Sequence, residues 1–122
     1  MSENDFEQSR VDFSLAENDL LARLGADLAG RQALPLKTTE LAERGKRWLL
    51  AQQSFLEAQV CSSDSIRKFT SETSDNAVIA IELAKLLAGL LLPVNPVTLS
   101  VLLIKRGLKT FCSARWSQHE QS

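Results

Sequence analysis

The most constraining stretch of the 122-residue chain is Asn76–Ile104, which carries only two charges, Glu82 and Lys85, and is interrupted by Pro93-Val94-Asn95-Pro96. Projected at about 100° per residue, Asn76–Leu92 forms a helix that is apolar over most of its circumference, with Glu82, Lys85 and Gly89 on one narrow strip. A helix of that kind belongs in the middle of a fold, with Glu82 and Lys85 paired three residues apart in its one solvent window. The residue before a proline is driven out of the α region, so the first helix should end at Leu92. Asn95 then suits an N-cap and Pro96 the first helical position, where its missing N–H leaves nothing unsatisfied. The pattern is therefore helix, tight turn, helix, with the second helix running from Pro96 to Ser113.

On that last helix Val97, Val101, Ile104, Leu108 and Phe111 make one stripe, while Leu99, Leu102 and Leu103 lie on the back beside Arg106 and Lys109. The back leucines need a cover of their own, and apolar surface beyond intramolecular need marks an interface. Leu99, Leu102, Leu103, Arg106 and Lys109 are accordingly the candidate partner-binding residues. Lipid is the competing cover. Leu86–Ile104 is 19 residues without a charge, about enough to span a ~30 Å hydrocarbon core, and basic residues follow at once. The proline break leaves two short halves, which favours a hairpin buried in protein.

Upstream, Phe13, Leu20, Leu24 and Leu28 share a helix face, Ser14-x-x-Glu17 has capping-box spacing, and Gly30 suits the C-terminal end. A second helix, Thr38–Cys61, repeats Leu41, Trp48 and Phe55 every seven residues, flanked by Leu49, Leu56 and Val60, with Gly45, Gln52 and Gln59 inside the same stripe. Ser63-Asp64-Ser65 either caps a short helix carrying Ile66 and Phe69 or continues the second helix. Ser74 or Asp75 should cap the central one. With few β-branched runs and no tyrosine, the expected fold is all-α: four main helices, with a short fifth as an option, around a central apolar helix at 76–92. Residues 1–12 read as an acidic tail, 13–114 as one helical domain, and 115–122 as a polar tail.

Net charge is −1, with six acids in residues 1–20 and four bases but no acid in 86–119. That balance gives nucleic acid no general purchase. The basic cluster Lys105, Arg106 and Lys109 is accounted for as a complement to a helix C-terminus. Cys61 and Cys112 lie at the ends of predicted helices. With no leader pattern at the N-terminus, they are expected to be free thiols in a cytoplasmic protein.

No sequence pattern for metal, nucleotide or nucleophilic chemistry is present, and the one histidine is His119. Arg115-Trp116-Ser117-Gln118-His119 resembles the arginine–histidine pair of HEPN ribonucleases, but its spacing is shorter and Trp116 stands where a polar residue is usual. Thr38–Gly45 resembles the first helix of a helix-turn-helix, but Trp48-Leu49-Leu50 continues the helix where a turn is needed. The expected function is a non-enzymatic interaction module without cofactor or small-molecule substrate: a subunit, adaptor or inhibitor that binds a protein partner or itself. Insertion of the 76–104 hairpin into a membrane is the alternative, and nucleic-acid binding a lesser one.

Overall fold

The computed structural model describes residues 12–30, 37–72, 75–108, 110–113 and 116. The elements are α1 (Glu17–Ala29), α2 (Thr38–Cys61), α3 (Asp64–Glu72), α4 (Asn76–Gly89) and α5 (Pro96–Arg106). Residues 110–113 are again helical, and no strand occurs among the described residues. The all-α expectation holds, and the helices share one hydrophobic core.

The helix at the centre is α5. Its residues Val97 to Leu103 are buried without interruption, so every side of the helix is covered. It packs against both α4 and α1. The expected central helix, α4, is instead two-sided. Ile79, Ala80, Leu83, Ala84 and Leu87 face inward, while Lys85, Ala88 and Gly89 face solvent. Glu82 and Lys85 pair on its outer side as the spacing predicts, with Lys85 Nζ 3.0 Å from Glu82 Oε1. Projection of α4 alone could not separate an all-round apolar helix from an amphipathic one with an unusually apolar outer face. The neighbours of α5 decided which of the two took the middle.

Caps explain most of the boundaries. Asn95 Oδ1 accepts from the N–H groups of Val97 and Thr98 at 2.9 and 3.3 Å, with Pro96 following. Asp75 Oδ1 accepts from Ala77 N–H at 3.0 Å. Ser63 Oγ accepts from Ile66 N–H at 3.3 Å, and α3 is thus a separate helix rather than a continuation of α2. The N-cap position of α1 falls on Ala16 rather than on Ser14. Gly30 closes α1 at φ 61 and Gly107 closes α5 at φ 98, conformations that favour glycine.

Helix α4 stops at Gly89, three residues short of the expected Leu92. Leu91 takes φ 56, the left-handed turn that ends many helices. The turn from there to Pro96 buries Val94 and brings Asn95 N–H to Asp27 Oδ2 of α1 at 2.9 Å. The reversal is therefore fastened to α1 as well as bent by its two prolines. Among the described residues no helix is long and apolar enough to cross a membrane.

The α1–α2 hairpin is held at backbone contact. A Cβ placed on Gly25 would lie 1.9 Å from the Leu41 carbonyl oxygen, and one on Gly45 would lie 2.1 Å from that of Leu21. Two glycines facing opposite backbones let the helices approach more closely than any side chain permits. This crossing also sets the rotation of α2. Its buried face is Ala42, Gly45, Leu49, Leu56 and Val60, about one residue's turn from the expected heptad. Trp48 is left half-buried and Phe55 exposed.

Both ends of the expected domain move. Asp12, assigned to the acidic tail, is fully buried. Its carboxylate accepts from Arg23 Nη1 at 2.7 Å and from Thr98 Oγ1 at 3.3 Å, which ties it to α1 and α5. The rest of that tail, residues 1–11, lies outside the described residues. At the other end, Trp116 packs partly buried against the core and its Nε1–H donates to the Cys61 carbonyl at 2.9 Å. The two cysteines are not free thiols: Cys61 and Cys112 form a disulfide across 51 positions of sequence. The sulfurs meet because α5 and the turn at Gly107 return the chain to the end of α2, a proximity invisible in the spacing. Disulfides persist chiefly in oxidising compartments, so the bridge bears against the cytoplasmic expectation.

Candidate functional site

Of the five residues expected to form an interface, the four that are described do not share an exposed surface. Leu99, Leu102 and Leu103 are all buried in the chain's own core, so the surplus that marked them as a binding surface is consumed internally. The cover they lacked in sequence comes in part from α1, far upstream in the chain, which packs against α5. Lys109 lies outside the described residues, as does His119. Arg106 is exposed and reaches back to Glu17, its Nε donating to Glu17 Oε1. A pair this open to water contributes at most about 1 kcal/mol.

Arg106 also borders a shallow cleft of about 340 Å³ between the first turns of α1 and α2, together with Glu17, Asn18, Thr39, Glu43 and Lys46. Leu21 and Ala42 form its floor. Two acids and two bases border it, and its polar groups stay near solvent. No group of three or more His, Cys, Asp or Glu that could hold a metal ion occurs among the described residues.

A more distinctive surface runs along the flank of α2. On this flank Trp48, Ala51, Phe55 and Ala58 follow one another at spacings of three, four and three, the 3.5-residue period of a coiled-coil seam, with Trp48 also packed against the core. Phe55 is 44% exposed and Trp48 half-buried; Ala51 is exposed and Ala58 half-buried. Gln52 and Gln59 edge the seam, half-buried and exposed respectively, so their amides reach water without a buried partner. Leu50, 56% exposed, lies on another side of the same helix, and Leu91 stands 90% exposed in the α4–α5 turn.

The expected stripe is carried into the fold only in part: Leu41 and Trp48 pack half-buried against the core, and Phe55 is exposed. Leu41, Trp48 and Phe55 repeat every seven residues, and a heptad of large residues suggests a core face. The flanking members of the same stripe, Gly45, Leu49, Leu56 and Val60, are buried as expected, joined by Ala42. The helix-turn-helix resemblance ends here too, because α2 continues unbroken through Gly45 to Cys61. Compared with known proteins, the chain matches no family model, no curated protein and no solved structure.

Proposed function

We propose that the chain is a non-enzymatic interaction module that associates with a second copy of itself through the outer flank of α2. The supporting observation is the partly exposed seam in which two large residues, Trp48 and Phe55, alternate with two small ones, Ala51 and Ala58. Laid antiparallel about Gln53, two copies of the seam place Trp48 opposite Ala58 and Phe55 opposite Ala51. Each large side chain then meets a small one, the complementarity that a two-fold symmetric interface requires. Gln52 and Gln59 flank the contact, and no like-charged pair is brought face to face. A foreign amphipathic helix with the same alternation would fit the same groove.

A seam this short buries area at the low end for specific contacts, so association in the micromolar range is expected. Sedimentation from low micromolar to submillimolar concentration provides the test. The wild-type chain should shift from monomer to dimer, and Phe55→Asp should remain monomeric with unchanged far-UV circular dichroism. A wild-type chain that stays monomeric throughout, or a Phe55→Asp dimer as tight as the parent, would remove the reading.

A further inference from the structure

We propose that Cys61–Cys112 is a redox-sensitive latch on a strap that includes Leu108, residues 110–113 and Trp116, and that its reduction frees those residues from the core while α1, α2, α4 and α5 stay folded. Gly107 interrupts the helical path at φ 98 and so supplies a joint at the start of the strap. A new turn begins there, with Phe111 N–H donating to the Gly107 carbonyl at 2.9 Å. Leu108 and Cys112 reach into the core, and Phe111 and Trp116 lean against it.

Among the described residues, two ties of the strap meet at one residue. Cys61 carries the disulfide to Cys112, and its carbonyl takes the hydrogen bond from Trp116 Nε1–H. Breaking the bridge therefore loosens both ties at the same place. The core does not depend on it in the same way, because α1 packs on α2 and on α5, and α5 packs on α4. Those contacts are made by chain that precedes Gly107.

The chemistry is thiol–disulfide exchange with a dithiol. Both cysteines are buried, Cys61 at 5% exposure and Cys112 at none, so the thiolate reaches the bridge as the strap opens locally, and the proposed point of attack is Cys61 Sγ. A new sulfur–sulfur bond forms there as the Cys61–Cys112 bond breaks, and the electron pair leaves on Cys112 Sγ, which takes up a proton. The dithiol's second sulfur then displaces Cys61, which is protonated in turn. The bridge gains two electrons and two protons, and the dithiol becomes a disulfide.

The test uses the full chain carrying Trp48→Phe, so that Trp116 is its only tryptophan. Dithiothreitol at millimolar concentration should make both thiols available to alkylation and shift Trp116 emission to the red. Amide hydrogen exchange at residues 108 and 110–113 should accelerate about tenfold or more, the factor equivalent to about 1.4 kcal/mol of local stability, while α1, α2 and α5 keep their protection. Cys61→Ser with Cys112→Ser should reproduce this without reductant. The proposal is overturned if the bridge survives dithiothreitol in the native protein. It is also overturned if Trp116 and the strap amides do not respond to reduction, or if protection collapses across all helices together.

Discussion

Replacing Gly45 with alanine tests the architecture at its narrowest point. The added methyl would stand 2.1 Å from the Leu21 carbonyl oxygen, 3.0 Å from its carbon and 3.2 Å from the Gly25 nitrogen. Ordinary carbon–oxygen contacts begin near 3.3 Å, so α1 and α2 must separate locally by about 1.2 Å. All three obstructing atoms are backbone, so no rotamer change relieves the overlap. A radial gap of about 0.5–1 Å already forfeits a quarter to a half of the dispersion energy of the facing atoms. Overpacking of this kind costs about 1–3 kcal/mol, and a backbone clash belongs at the upper end.

Alanine returns up to about 1 kcal/mol through its better helix propensity. The net expectation is a destabilisation of about 2 kcal/mol, or roughly 8 °C in melting temperature for a chain of this size. Gly25→Ala, with 1.9 Å to the Leu41 oxygen, should behave alike. The double variant should lose less than the sum, because helices already forced apart accommodate the second methyl. Gly89→Ala is the control: nothing lies within 4 Å of its added Cβ, so it should stabilise by about 0.5–1 kcal/mol. Urea unfolding followed by circular dichroism reads all four. If Gly45→Ala is as stable as the parent while Gly89→Ala gains, the backbone contact between α1 and α2 does not exist.

Two further substitutions separate core from surface. Leu102→Ala, at a fully buried position of α5, should cost about 2–5 kcal/mol in urea unfolding; a loss under 1 kcal/mol would show that α5 is not the central helix. Leu91→Gly removes a 90% exposed side chain from a left-handed position. It should leave stability unchanged or raise it by up to about 1 kcal/mol, since relief of the αL strain outweighs or cancels glycine's entropy. A clear loss would mean that the Leu91 side chain is held in the native fold.

The sequence by itself determined the helical character of the chain and most of the punctuation between helices. Asn95-Pro96, Asp75 and Gly30 act through bonds and dihedrals within a few residues, so their effects are local and readable. Tertiary structure decided everything that depends on which faces meet. At the Gly25–Gly45 approach α2 buried only part of its bulky heptad and left Phe55 in solvent. The covering of α5 from all sides converted Leu99, Leu102 and Leu103 from an apparent interface into core. The return of the chain at Gly107 joined cysteines separated by 51 positions. Periodicity shows that a face is apolar, but whether protein or water covers it depends on the distance of closest approach between helices, and that distance is a property of pairs of segments, set here by two glycines with no side chain to keep them apart.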